Sequence, residues 1–282
     1  MGRARYLPPN LITGASIVFG LISIGVAHRG DWRLAGWLII YAVLSDRLDG
    51  LVARKLRATS ELGIQLDSFA DFLNFGVAPA FLVYSFLSSP EMVHGPLDLP
   101  FDAGLARVYL VSACILWVLA AVFRLARFNV AADTEIPTRL YFGVPTTLAG
   151  GLLVTWFLAF LKYRTTGDTF GGPKLLGEAL TTPRGVWLAI PGAMLVGAFL
   201  MVSSFRMLKI AAAESKAITI FLLVCVASGY VLGFAQMMPE YLVWMPTVWT
   251  VVFLVWGRLA AEARYLRPPP LFPATPSDSS GD

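Results

Sequence analysis

Apolar residues along this chain come in eight long runs, near residues 11–27, 34–53, 62–87, 106–124, 143–161, 186–207, 217–237 and 241–258, separated by stretches rich in charge, glycine and proline. A helix needs roughly 20 residues to cross the hydrocarbon of a bilayer, so the pattern predicts about eight transmembrane helices in an all-α integral membrane protein. Two interruptions stand out. The stretch SDRLDGLVARK, from Ser45 to Lys55, follows the apolar LAGWLIIYAVL directly, and Asp67 and Asp71 lie inside the third run.

The connections carry little chemistry of their own. YRTTGDTFGGPKLLGEALTTPR, 163–184, is rich in Gly, Thr and Pro and reads as an exposed loop, and 88–105 reads the same way. From Pro268 onward apolar periodicity is absent, so 267–282 is expected to be a disordered Pro-rich tail. Arg3 and Arg5 precede the first run, but no small-x-small cleavage site follows it, so it is read as a retained helix rather than a signal peptide.

Composition agrees with the pattern. A content of 57% hydrophobic and 14% charged residues, with a mean hydropathy of +0.68, lies outside the soluble globular range. The formal charge of +4 is a topology signal. With the N-terminus inside, the inner connections collect Arg3, Arg5, Arg54, Lys55, Arg57, Arg124, Arg127, Arg139, Arg206, Lys209, Lys216, Arg258, Arg264 and Arg267. The outer ones hold Arg29, Arg33, Arg107, Lys162, Arg164, Lys174 and Arg184. That asymmetry predicts both termini in the cytoplasm and gives no support to a nucleic-acid partner. Cys114 and Cys225 fall inside apolar runs and read as small packing residues.

The acidic residues at apparent membrane depth are Asp46, Asp49, Asp67 and Asp71. An aspartate at mid-membrane costs about 2.5–3.5 kcal/mol, so four unpaired ones imply on the order of 10 kcal/mol. Asp46 and Asp49 are i,i+3 and Asp67 and Asp71 are i,i+4, which puts each pair on one helix face. A short turn around 57–60 makes the two helices antiparallel neighbours, so the four carboxylates converge. Like charges so placed repel one another unless divalent cations sit between them. Oxygen-only ligands suit Mg²⁺ or Mn²⁺ better than zinc. Gly50 and Arg54 are i,i+4, leaving space where a guanidinium can reach a phosphate. Ala53 and Gly63 place further small residues beside the carboxylates.

The run Asp46-Arg-Leu-Asp49-Gly50-Leu-Val-Ala53-Arg54, eight residues, then Gly63-Ile-Gln-Leu-Asp67-Ser-Phe-Ala-Asp71 resembles the signature DxxDGxxAR(x8)GxxxDxxxD of the CDP-alcohol phosphotransferase family at every defined position. The resemblance implies a six-helix membrane core that commonly forms homodimers and displaces CMP from a CDP-linked substrate with an alcohol, using divalent metal. It implies that Asp46, Asp49, Asp67 and Asp71 hold one or two cations, with Asp71 as base, and that Gly50, Ala53, Arg54 and Gly63 shape the CDP site. Asn10 and Thr13 resemble the family's N-terminal positions near the nucleotide, although a helix N-cap would equally explain Asn10.

Three further stretches are similar to the membrane-embedded phosphatidylserine synthases of this family: 72–80 (FLNFGVAPA), 124–129 (RLARFN) and 141–147 (YFGVPTT). Asn74 stands where that group usually has Ser, and 144–147 reads VPTT. Arg124, Arg127 and Asn129 suit a serine carboxylate or a lipid phosphate, and positive-inside anchoring also explains the two arginines. Trp32, Trp37, Trp244 and Trp256 read as an interfacial belt, and His28 and His94 as solvated.

The reading is an enzyme with residues 1–214 as catalytic membrane core and 215–266 as two additional helices, sitting in a bacterial-type cytoplasmic (inner) membrane with its active site cytoplasmic. Its expected substrates are CDP-diacylglycerol and L-serine, among membrane lipids, and its expected products phosphatidylserine and CMP. Choline, glycerol 3-phosphate and inositol phosphate are alternative alcohols. A cation transporter is a reading of another class, since intramembrane carboxylates also mark ion routes. Arg47 is expected to snorkel or pair with an acidic neighbour.

Overall fold

Helix after helix follows the apolar runs in the computed structural model, which describes residues 3–131, 140–208 and 216–259. A turn at Arg3–Tyr6 leads into α1 (Leu7–His28) and α2 (Trp32–Leu56). The third run is composite: α3 (Glu61–Asp71), a π turn (Phe72–Val77) and α4 (Ala78–Leu87). The short α5 (Pro90–Val93), then α6 (Gly104–Ala131), α7 (Thr146–Lys162), α8 (Arg184–Val202), α9 (Lys216–Phe234) and α10 (Pro239–Leu259) complete the bundle. Four segments are long and apolar enough to cross a membrane by themselves, Leu7–His28, Glu61–Leu87, Gly104–Asn129 and Arg184–Val202. The chain is an all-α integral membrane protein. The tail 267–282 and the charges Arg139, Lys209, Arg264 and Arg267 lie outside the described residues.

Small residues let these helices approach, as expected where lipid tails supply no hydrophobic drive between them. On α1 the buried Thr13, Ser16, Gly20 and Ser23 share one face, and Ser23 donates to the Ala35 carbonyl of α2 at 2.8 Å. A Cβ on Gly36 would lie 2.6 Å from Leu158, and one on Gly150 would lie 2.9 Å from the Phe75 Cα. Those two glycines therefore set how closely α7 seats on α2 and on the π turn.

The π turn has a chemical cause. Phe75 would bond through its carbonyl to the residue four ahead, but that residue is Pro79, which has no N–H. The Trp117 indole of α6 donates to the Phe75 carbonyl at 3.0 Å instead, and the Ala78 amide reaches back to Leu73. The extra residue per turn changes which side chains face the core, burying Asn74, Phe75 and Gly76 immediately after Asp71.

The bundle end remote from the aspartates departs from the sequence reading. The 163–184 connection is anchored as well as exposed: Lys162 is fully buried, with its Nζ 2.9–3.0 Å from both Glu240 oxygens of α10 and bonded to the Gly171 and Pro173 carbonyls. The Tyr163 hydroxyl donates to Glu240 at 2.8 Å, and Lys174 is buried against the Thr165 carbonyl. Burial, with the neighbouring Glu240 carboxylate, pushes the Tyr163 phenol up to about 12, so it remains a donor at neutral pH. The 88–105 connection likewise buries Met92, Val93, Leu99 and Phe101. One expected belt residue lies inside and another is half-buried: Trp37 is buried beside Phe170, and Trp32 packs edge-on against Phe86 at 5.1 Å. Their aromatic area is worth more against other rings than at the lipid surface. Trp244 is exposed, as a belt residue should be. Trp256 has no described side chain.

Two runs end early. The helix of the sixth stops at Val202, and Arg206–Leu208 instead pairs antiparallel with Leu140–Phe142, Tyr141 opposite Met207. Gly143, at φ +76, follows this ribbon where a side chain would meet the carbonyls of Met201 and Ser203.

Removing one partner of a buried ion pair strands the other charge, at about 3–5 kcal/mol. Glu240→Ala should therefore lower the thermal unfolding midpoint in detergent markedly, and pairing Glu240→Leu with Lys162→Met should recover most of the loss.

Candidate active site

A four-residue turn, 57–60, makes the site. Arg57 closes α2 in the left-handed conformation (φ 50), with its amide bonded to Arg54 and that of Ala58 to Ala53 at 2.9 Å. Ser60 then caps α3 by accepting from the Gly63 amide at 3.0 Å. Buried Ala58 fixes the turn against the bundle. The hairpin this creates aligns the two acidic pairs by depth. Asp46 lies ten residues before Leu56 and Asp71 ten residues after Glu61, while Asp49 and Asp67 sit seven and six residues from the same ends.

The side chains meet accordingly. Asp46, Asp49 and Asp67 each offer an oxygen, all within 4.8 Å of one another. Asp46 and Asp71 touch through their carboxyls. Asp49 and Asp71 are buried, whereas Asp67 is the most open of the three clustered residues. Oxygens at about 2.0–2.6 Å from one divalent cation can be no farther apart than roughly 4–5 Å. The three carboxylates thus offer the oxygen donors that Mg²⁺ or Mn²⁺ takes, gathered close to the span of one divalent cation's shell.

α1 supports this cluster. Thr13 donates to Asp49 Oδ2 at 2.7 Å, so it holds a carboxylate in place, a contact beyond its expected place near a nucleotide. Asn10 lies inside α1, which begins at Leu7, and the N-cap reading of it falls. Its Oδ1 would be 3.3 Å from a Cβ on Gly63, so the glycine lets α3 close on α1 there. On α2 the Arg54 guanidinium folds back over Gly50, with Nη1 3.4 Å from where a Cβ would stand. Ala53 supplies the carbonyl that fastens the turn. Arg47 is exposed on α2.

α6 and α7 approach from the other side. Buried Arg124 donates to Thr146 Oγ1 at 3.2 Å and lies near enough to Asp71 to act on its charge. Asn129 bonds Ser68, on α3 between Asp67 and Asp71, at 3.1 Å. Arg127 is directed elsewhere: its Nη1 donates to the Val202 carbonyl at the end of α8. Thr147, which sequence reasoning passed over, places its hydroxyl 3.4 Å from Asp71. Its signal is a pair of hydroxyl residues immediately after a proline, where a helix starts. Asn74 is buried and donates to Ser16 at 2.9 Å.

Comparison with known proteins agrees with this geometry. The family model for CDP-alcohol phosphatidyltransferase matches residues 6–182. The chain belongs to this family. Among curated relatives, a CDP-diacylglycerol--serine O-phosphatidyltransferase of Helicobacter pylori is 35% identical over 158 residues, 56% of this chain and 60% of the relative. A protein of the same name from Mycobacterium leprae is 39% identical over 155 residues, 54% of this chain and 46% of the relative. One from Bacillus subtilis is 34% identical over 146 residues, 52% and 72% respectively. The match thus spans about 60% of the length of the Helicobacter pylori relative.

Partners that orient metal-binding carboxylates typically contribute 10–100-fold in metal affinity. Thr13→Val should therefore weaken Mn²⁺ binding to the purified protein by about that factor, read by electron paramagnetic resonance. Thr13→Ser should retain it.

Proposed function

We propose that the protein transfers the phosphatidyl group of CDP-diacylglycerol to the hydroxyl of L-serine, giving phosphatidylserine and CMP. The observation that carries the reading is the convergence of Asp46, Asp49 and Asp67 within 4.8 Å beside Arg54 and Gly50, in a chain of this family. The names of the relatives support serine as the alcohol.

In this proposal the serine oxygen bonds to the phosphorus bearing diacylglycerol, the bridging P–O bond of the pyrophosphate breaks, and its electron pair leaves on CMP. Asp71, buried next to Thr147 and Arg124, takes the hydroxyl proton. Asp46, Asp49, Asp67 and Asp71 would hold Mg²⁺ or Mn²⁺. Such a cation, when bound, neutralises pyrophosphate charge and stabilises the leaving phosphate. Arg54 would bind a phosphate oxygen over Gly50, and Asn10, Gly63 and Ala53 would border the nucleotide. Arg124 and Asn129, both beside the aspartates, are better placed for the serine carboxylate than Arg127, which is bonded to Val202.

The same proposal puts the aspartate end and both termini on the cytoplasmic side of a bacterial-type inner membrane, divides the chain near residue 215 into a catalytic core and two added helices, and takes the protein to be a homodimer.

Purified protein given Mn²⁺ and CDP-diacylglycerol should release CMP when serine is added. Release with choline, glycerol 3-phosphate or inositol phosphate but not serine would reassign the alcohol. No CMP with any alcohol, alongside metal flux in liposomes, would overturn the enzyme reading. Asp71→Asn should lower kcat by about 10²–10⁴-fold while CDP-diacylglycerol still binds, and near-normal turnover would place the base elsewhere.

A further inference from the structure

Helix α9 lies beyond residue 182, where the family match ends, yet it packs on the helix that carries Asp46 and Asp49. Residue numbers fall along α9 as they rise along α2. Gln236, just past the end of α9, donates to the Tyr41 hydroxyl at 2.8 Å, Gly233 faces Ile40 and Leu44, and Tyr230 donates to the Leu44 carbonyl at 3.3 Å. The two helices are therefore antiparallel, and α9 begins at the aspartate end. A Cβ on Gly233 would stand 3.0 Å from the Leu44 side chain, so the glycine allows the approach that brings Tyr230 within reach. Ser228 shares a hydrogen bond with Tyr241 of α10, while Tyr41 donates to the Phe234 carbonyl and stacks on the Phe234 ring at 5.6 Å. Tyr230 thus projects from a stretch of α9 that is held on either side.

The direction of that side chain matters. Long side chains on a helix lean toward its N-terminus, which for α9 carries the phenol toward the aspartates. The hydroxyl accordingly lies close enough to Asp46, Arg47 and Asp49 for their charges to act on it. Packing does not account for it. A phenylalanine would lie as well beside Phe234, and the Leu44 carbonyl, inside a continuous helix, already accepts from the amide four residues on. What the hydroxyl adds is a second donor on the peptide that joins Leu44 to Ser45, immediately before Asp46. We propose that Tyr230 is a positioning residue for the aspartate site, its hydroxyl fixing through the Leu44 carbonyl the turn of α2 that presents Asp46 and Arg47. The inference rests on the cation-binding aspartates of the proposed function, and it makes α9 part of their support.

Tyr230→Phe removes the hydroxyl and keeps the ring. It should raise the Kd for Mn²⁺ in the purified protein by about tenfold, the low end of what outer partners of metal-binding carboxylates contribute, read by electron paramagnetic resonance. Tyr41→Phe, which loosens the same helix pair farther from the aspartates, should leave that Kd unchanged. An unaltered Kd in Tyr230→Phe overturns the proposal, as does an equal loss in Tyr41→Phe, which would reduce the effect to general packing of α9. If no alcohol yields CMP but Mn²⁺ affinity falls selectively in Tyr230→Phe, the reaction reading fails and the positioning role stands. If serine yields CMP and the Kd is unaltered, the reverse holds.

Discussion

Four carboxylates held together inside an apolar bundle are the constraint around which the rest of the structure is arranged. Their mutual repulsion and desolvation oppose folding, and groups from three neighbouring helices are directed at them. Thr13 of α1 bonds Asp49, Arg124 of α6 brings a positive charge to Asp71, and Thr147 begins α7 with a hydroxyl aimed at the same residue. Asn129 holds α3 between its two aspartates through Ser68. None of these contacts would offset the charge as fully as divalent cations shared by oxygens 4.8 Å apart or closer.

Holding the aspartates in register requires backbone precision that side-chain packing alone does not provide. The left-handed Arg57 and the Ser60 cap fix where α2 stops and α3 starts, so the depth of all four acids follows from one turn. On the far side of Asp71, Pro79 removes the hydrogen bond that would have continued an ordinary helix, and the π turn with its Trp117 partner takes up the difference. Gly150 admits that widened turn against α7. The result places Thr147 and Asp71 within reach of each other although they are 76 residues apart.

The sequence carried local relations well. The eight runs, the i,i+3 and i,i+4 acidic pairs and the short turn at 57–60 all depend on neighbours a few residues away, and each is present in the fold. Long-range relations were less legible. Nothing near Glu240 indicates that it neutralises Lys162, 78 residues earlier, so both the buried pair and the anchoring of the 163–184 connection went unseen. Periodicity likewise could not separate Trp37, packed in the core, from an aromatic at the lipid surface. The Arg206–Leu208 strand was hidden by an apolar run that does not distinguish strand from the last turn of a helix. Asn10 misled for a related reason: its type suits an N-cap, but Pro8 and Pro9 start the helix before it.

The two ends of the bundle manage charge in opposite ways, and the difference bears on what each can do. At the remote end the Lys162 ammonium has a carboxylate and two carbonyls as partners, with a phenol on the same carboxylate, so the charges are internally satisfied and the arrangement is structural. At the aspartate end negative charge exceeds its nearby protein partners, and exposure grades from buried Asp49 and Asp71 to the more open Asp67. An excess of oxygen donors that opens at one side can accept cations and then a phosphate, which a closed ion pair cannot. In the proposed function, such an opening would let a charged nucleotide remain hydrated while the hydrocarbon attached to it stays within the bilayer.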